Sequence, residues 1–386
     1  MLRHLFWLGL AALFIAGRSE GYLSPWGSEQ SLSDPVAVRP MNHLLEGFIW
    51  PVEPLFESEA WAHSHLLLER EVDFRSKVAT TAYKEAGFEG GAGFNCSTNG
   101  STFLGLGAGR SIEENLVTRS DNYAVSLGRG YLGAAFALGS KWDLIGIVVG
   151  KGGWRAGRAV YPFEQSCHLE GGALARRIDK KRLLTIATFL DSFIVRDTGL
   201  GLSYLMGREN LRLAYERRWE VTSRAAGIEA TCRHYDASHG HPDNFEEHVA
   251  IWYRMGIPQV ERFLFFRYQF DYGKFQRILF PYLSYNHRVI HAGTFTWRCP
   301  IGAAGGLQFE STYGWMRTRE LNDPGQQTTP QGVIVPAIIW KQSLNLFGLK
   351  ALYRMCFRYC SLEAGVNYYW DSSTYRAGDV RVEAVF

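Results

Sequence analysis

The last third of the chain alternates apolar and polar residues with a period of two. Leu349, Ala351, Tyr353, Met355, Phe357 and Tyr359 fall on one face, and Lys350, Arg354, Cys356, Arg358 and Cys360 on the other, with Leu352 the exception. The next stretch sets Leu362, Ala364, Val366, Tyr368 and Trp370 against Ser361, Glu363, Gly365 and Asn367. Upstream, Leu264, Phe266, Tyr268, Phe270 and Tyr272 alternate with Arg267, Gln269 and Asp271, and Val249, Ile251, Tyr253 and Met255 do the same around Arg254. Such periodicity predicts strands rather than helices. Charges in mid-strand, opposite faces that end in aromatics, suit a barrel that is apolar outside and polar inside.

Pairing can be tested on the same stretch. If Cys360 and Ser361 centre a tight turn, Tyr359 faces Leu362, Phe357 faces Ala364 and Met355 faces Val366. Arg358 then faces Glu363, and Arg354 faces Asn367. A one-residue slip would mix the two faces. Cys-Ser is a poor type I′ turn, so a slightly longer turn in the same register is the alternative.

Short alternating segments continue from about residue 63 to residue 386. The pattern is weaker between residues 78 and 180, where Gly105–Gly109 and Gly128–Gly133 suggest Gly-rich hairpins. The spacing of Gly105, Gly107 and Gly109 does not match a dinucleotide-binding loop, and turns or close-packed strands account for it. Gly199–Tyr215 reads as a hairpin around Arg208, Glu209 and Asn210. The fold expected is all-β: a transmembrane, antiparallel, up-and-down barrel of roughly 14 to 20 strands, about 16 being favoured by length and by even closure.

The N-terminus adds a targeting signal. Met1-Leu-Arg-His is a short basic start, and the apolar run Leu5–Ala16 has the length of a signal-peptide core, too short to span a bilayer as a helix. Cleavage is expected before Tyr22, with a site after Gly17 as the alternative. Residues 1–21 thus form a signal peptide, residues 22–62 a proline-containing extension or plug, and residues 63–386 the barrel.

Composition narrows the class further. The chain holds 41 glycines, and 14% of its residues are aromatic, which suits a β-rich protein with interfacial girdles. Charged residues make up 20%, which argues against disorder, and a net charge of +3 points to no nucleic-acid partner. Six cysteines (Cys96, Cys167, Cys232, Cys299, Cys356 and Cys360) allow fifteen pairings of three disulfides. Cys356 and Cys360, taken as one strand, would stand about 13 Å apart and could not pair together.

Candidate chemistry is sparse. His239, His241, Asp243 and His248 are weak candidates for a loop metal site, with a solvated polar loop the stronger reading. His234, Asp236, Ser284 and His287 are raw material for a hydrolase, with no motif that orders them. No cofactor is expected.

The chain ends in Val380, Val382, Ala384 and Phe386, alternating with Asp379, Arg381 and Glu383. This resembles the closing-strand signal of bacterial outer-membrane β-barrel proteins. The Gly199–Tyr215 segment is similar to hairpins of long-chain fatty-acid transporters and of other, porin-like barrels. The resemblance implies localisation in the outer membrane, contact with its lipid, recognition of Val380, Val382, Ala384 and Phe386 by the barrel-assembly machinery, and a class in which homo-oligomers occur. It also implies a periplasmic end for the last strand. Counting back puts Asp371–Tyr375 outside, Cys360-Ser361 in the periplasm and Leu346–Gly348 outside. The count continues through Leu321–Gln331, Gly302–Gly305, Val289–Ala292, Gly273–Gln276 and Ile257–Glu261, and leaves Asp236–Glu247 outside.

The function expected is a channel or transporter for a small solute. Its mixed-charge lumen would be lined by Arg254, Arg267, Asp271, Lys350, Arg354, Arg358, Glu363, Asp379, Arg381 and Glu383. The alternatives are a surface adhesin or structural barrel and, less favoured, a barrel hydrolase.

Overall fold

The computed structural model describes residues 60–386 except 73–78, 98, 179–180, 198, 220–223, 258–259, 261–262, 278–284, 303, 322–338, 358–359, 373–375 and 386. The expected signal peptide and most of the 22–62 extension lie outside the described residues, as do Ser284, Arg358 and Phe386.

Sixteen strands follow one another: β1 (Ala60–Val72), β2 (Ala79–Ser97), β3 (Gly100–Asn115), β4 (Ser120–Leu138), β5 (Trp142–Arg155), β6 (Ser166–Ile178), β7 (Arg182–Asp197) and β8 (Leu202–Trp219) form the first half. The second half is β9 (Arg224–Tyr235), β10 (Asn244–Gly256), β11 (Leu264–Phe275), β12 (Tyr285–Ile301), β13 (Gly305–Leu321), β14 (Ile339–Cys356), β15 (Ser361–Asp371) and β16 (Arg376–Val385). Each strand pairs antiparallel with its sequence neighbours, and β1 pairs with β16 from Trp61↔Val385 to Arg70↔Arg376, which closes the barrel.

Burial is inverted relative to a soluble barrel. Outward positions carry Leu106, 71% exposed, and Leu169, 72% exposed, whereas Glu85 at 3% and Asp271 at 4% are buried inside. Water is the wrong solvent for that outer surface, and a bilayer is the right one. On β10 the inward residues are Glu246, His248, Ala250, Trp252 and Arg254, and the outward ones Val249, Ile251, Tyr253 and Met255. The outer rings stack across strands, with Phe347 and Trp370 centroids 5.3 Å apart and Trp297 and Phe309 5.5 Å apart.

Several expected turns are strand interior. Gly105–Gly109 lies within β3 and Gly128–Gly133 within β4, and the two glycine stretches face each other. Aromatic side chains need that space. A Cβ on Gly105 would stand 2.2 Å from the Tyr131 ring, and one on Gly133 2.1 Å from Phe103. Leu346–Gly348 is inside β14 and Val289–Ala292 inside β12, so the expected count held two strands too many. Arg208–Asn210 is likewise inside β8, whose hairpin turn is 198–201.

The β14–β15 register also differs from expectation. Arg354, not Arg358, faces Glu363, Met355 faces Leu362, and Tyr353 faces Ala364. The slide is four residues, an even number, so every side chain keeps its face. Its cause is the turn: residues 357–360 connect the strands, with Phe357 N–H donating to the Cys360 carbonyl at 2.7 Å. Cys356 and Cys360 flank this turn rather than share a strand, which removes the basis for the 13 Å spacing, and all six cysteines are free thiols.

The two ends of the barrel differ. Connections 98–99, 139–141, 179–181, 220–223, 257–263, 302–304 and 357–360 lie at the end where β1 begins and β16 finishes. The opposite end carries the longer connections, among them 156–165, 236–243, 276–284 and 322–338.

Candidate functional site

The interior is shaped by a break in the wall. β6 pairs with β7 only as far as Gly171↔Leu190, although it stays paired with β5 up to Gly153↔Ser166. β8 leaves β9 beyond Arg208↔Tyr235, while β7 and β8 remain paired out to Asp197↔Leu202. The tip of this hairpin, Asp191–Asp197 with Leu202–Gly207, is therefore a two-stranded ribbon bonded in a ladder to neither wall neighbour. A ribbon projecting into solvent would expose a face. Here Phe193, Val195, Tyr204 and Met206 are each 1% exposed, and Ile194 and Leu205, on the other face, 3% and 4%. The tip folds into the barrel.

Its contacts reach across the interior. It shares one apolar cluster with Tyr83 of β2, Tyr123, Val125 and Leu127 of β4, Tyr235 of β9 and Phe275 of β11. Phe193 meets Tyr235 edge-on at 5.7 Å. Arg196, near the end of the tip, donates to Glu113 of β3, which also accepts from Asn122 at 2.9 Å. The connection 156–165 folds inward as well and ties the tip to β4. Val160 and Tyr161 N–H groups donate to Asp121 and Asn122 carbonyls, each at 2.8 Å. Ser203 N–H donates to the Pro162 carbonyl at 3.1 Å, and Glu164 N–H to the Ser203 carbonyl at 2.8 Å. Phe163 occupies space that a side chain at Gly153 would fill, with a Cβ there 2.8 Å from its ring.

Where the hairpin leaves the wall, charged groups replace the lost ladder. Arg208 grips Asp191 with two bonds, Nε to Oδ1 at 3.0 Å and one amino group to Oδ2 at 2.6 Å, and Asn210 adds a third at 3.1 Å. On the β6 side, Lys151 Nζ lies 2.9 Å from Glu170 Oε1 and also donates to the Ser192 carbonyl, while the Ser192 hydroxyl donates to Glu170.

The histidines suggested for a metal are drawn to different carboxylates. The His239 ring lies tilted against Tyr204 with centroids 3.8 Å apart and places Nε2 2.6 Å from Glu164, and His241 Nε2 is 2.6 Å from Asp197. His248 points inward toward Asp271 at 3.5 Å, whereas Asp243 lies outside, 3.7 Å from His234 Nε2. The 236–243 connection thus fastens onto the tip and onto 156–165. Of the hydrolase candidates, His234 faces outward beside Glu209 at 3.6 Å, and Asp236 lies 3.9 Å from it, with His287 on the separate strand β12.

Nearer the short-turn end, Arg254 and Arg267 face each other on the inward side of β10 and β11. Arg254 and Arg298 both pack on Phe265, at 5.7 Å and 4.8 Å, and Arg267 packs on Trp252 at 4.8 Å. Arg354 donates through Nε to Glu363 at 2.8 Å. Lys350 faces Glu310 on β13, and Glu383 faces Glu363 on β15, all on inward positions. Arg381 shares the inward register of Glu383, as does the backbone position of Asp379, while Val380 at 44% and Val382 at 40% are exposed outward. The tip, Arg208–Asp191, Lys151–Glu170 and Arg298 were not among the residues expected from sequence. The overlooked signal was the loss of alternation in Phe193-Ile-Val195 and Tyr204-Leu-Met206, as befits strands covered on both faces.

No known family model and no curated protein matches the sequence. Solved structures share its fold. A bacterial polysaccharide outer membrane secretin is 10% identical, with a TM-score of 0.51, covering 84% of this chain and 97% of its own. The chain has the fold of a bacterial outer-membrane β-barrel. Acinetobacter baumannii OccAB3 is 9% identical with a TM-score of 0.47, covering 86% of this barrel chain and 99% of its own. Pseudomonas aeruginosa OccK1 (OpdK) is 10% identical with a TM-score of 0.43, covering 86% and 98%.

Proposed function

We propose that the protein is an outer-membrane channel for small polar solutes whose conduit is narrowed by the inward β7–β8 tip. The observation that carries this reading is the tip itself. A barrel of sixteen strands is wide enough for an aqueous interior, and this one sets a ribbon across it beside charged walls. Arg254, Arg267, Asp271, Lys350, Arg354, Glu363, Arg381 and Glu383 are assigned to the lumen wall. Alternating Arg and Glu there support a mixed field rather than a strong filter for one sign of charge. Short connections at the end where β1 begins and β16 finishes support a periplasmic location for that end, because bacterial barrels keep short turns on that side and long loops outside. On that assignment 322–338 and 236–243 are external, and Val380, Val382, Ala384 and Phe386 form the segment read during assembly.

The test is swelling of liposomes carrying purified protein in sugars, amino acids and small carboxylates of graded size. Size-dependent uptake supports the channel. Solute exclusion equal to protein-free liposomes, with the barrel shown folded by heat-modifiable migration, refutes it.

A further inference from the structure

The connection 236–243 leaves the wall at β9 and ends against the inward tip. Its centre is a closed turn rather than an open loop. Ser238 N–H donates to the His241 carbonyl at 3.1 Å, and His241 N–H donates to the Ser238 carbonyl at 2.8 Å. Between them His239 and Gly240 take φ values of 52° and 83°, the two positive values that a type I′ turn needs. A turn closed in this way is stiff, so bending falls on its junctions with β9 and β10.

Two histidines seat the turn. The Nδ1 of His239 meets the Ser238 hydroxyl at 2.6 Å, its Nε2 meets Glu164 at 2.6 Å, and its ring lies against Tyr204 of the tip. His241 Nε2 meets Asp197, at the far end of β7, at 2.6 Å. Glu164 is itself tied to the tip, because its N–H donates to the Ser203 carbonyl. The Asp197 side chain is 1% exposed and also accepts from Leu200 N–H at 2.9 Å. The nearby charged groups are engaged elsewhere. Arg196 donates to Glu113, Asp236 lies 3.9 Å from His234, and Asp243 lies 3.7 Å from Arg277.

We infer that 236–243 is a pH-sensitive lid, seated on the tip when His239 and His241 are protonated and released when they are neutral. Both seats are histidine–carboxylate contacts, and imidazole is the side chain that ordinarily changes charge between about pH 5 and pH 8. A neutral ring still donates from Nε2, whereas a protonated ring donates a charge-assisted bond of roughly twice the strength. Asp197 sharpens the contrast, since a carboxylate withdrawn from water needs compensating charge. Glu164, 53% exposed, contributes less because water screens it. The sign follows from the charges: seating is favoured on the acidic side and is lost as pH rises through the titration of the histidines. The apolar cluster holds the tip itself, which stays inside at either pH.

The lid's effect on solute passage rests on the channel reading above, but its movement can be read without conduction. In a protein with its native cysteines replaced, A237C/L200C carries one nitroxide on the connection and one on the turn of the tip, both at exposed positions. Their separation in the full-length barrel is measured by double electron–electron resonance. At about pH 5 the distribution should be short and narrow, and at about pH 8 a longer, broader population should join it. The ratio of short to long should fall on the order of tenfold between the two. H239Q/H241Q in the same labelled protein should show the longer population at both pH values. A distribution that is the same at both pH values with the histidines present, or a pH response that survives in H239Q/H241Q, overturns the inference. Movement of the lid with no pH dependence of solute uptake in the liposome assay would support the lid and count against the channel reading alone.

Discussion

Arg208 and Asp191 are bound through two hydrogen bonds at the point where the β7–β8 hairpin parts from both of its wall neighbours. Arg208 is 6% exposed as a side chain and Asp191 17%, so the pair is largely withdrawn from water. Such a pair owes its value to geometry, since desolvation offsets much of the attraction, and it becomes costly when one partner is removed. It holds the base of the hairpin at a fixed angle.

Asp191→Ala should therefore loosen the hairpin without dismantling the barrel, because sixteen wall ladders remain. Leaving Arg208 without its carboxylate costs about 3–5 kcal/mol in a dry site, and less here because Asp191 is partly wetted. Single-channel records should show added transitions to a larger conductance. Records identical to wild type would remove this pair from any part in gating.

The contact of Arg196 with Glu113 gives a direct handle on the tip. In a protein with its native cysteines replaced, R196C/E113C should be bridged by a short bis-methanethiosulfonate reagent, whose spacer makes up for the two truncated side chains, joining β7 to β3 across the interior. The crosslinked channel should lose fluctuations between conductance levels and regain them with reductant. Failure to crosslink in folded protein would mean that the tip does not lie against β3.

The hairpin of β14 and β15 separates two registers. Cysteines at Tyr353 and Ala364, which face each other, should crosslink readily. The pair Phe357 and Ala364 should not, and the reverse result would restore the two-residue turn.

Gly105 tests packing inside the wall. Gly105→Ala would set a Cβ 2.2 Å from the Tyr131 ring, and overpacking of this kind costs about 1–3 kcal/mol. The variant should lose its folded migration at a lower temperature, and Y131A should restore part of the loss. No change in the transition would show that the ring moves aside freely.

The legible parts of this fold were those where side-chain polarity tracks the strand period. β10, β11 and β14–β16 place Arg, Asp or Glu inside and aliphatic or aromatic groups outside, so hydropathy and face coincide. In β2–β5 that contrast fails, because Phe103 and Tyr131 point inward over Gly133 and Gly105, leaving apolar residues on both faces. The polar triplet at Arg208 resembled a turn for a different reason. Arg208 and Asn210 are inward neighbours that both bond Asp191, and only tertiary contact explains them. The inward course of the tip depends on ladders that end early on both sides, which no local pattern specifies, although its doubly apolar run marks it as a covered strand. Two spurious strands cancelled in counting, so 236–243 stays at the barrel end shared with the β15–β16 connection, and the β13–β14 connection joins it there.

Shortening the β7–β8 tip shows whether it narrows the conduit. A variant joining Leu190 to Glu209 through a short glycine-containing turn keeps the wall pairing of β7 with β6, and that of β8 with β9 from Glu209↔His234 onward. Its single-channel conductance in planar bilayers should rise severalfold over wild type and become steady, with entry of larger solutes in the liposome assay. Wild-type conductance and the wild-type size limit in a folded, tip-shortened barrel would mean that the tip does not narrow the conduit.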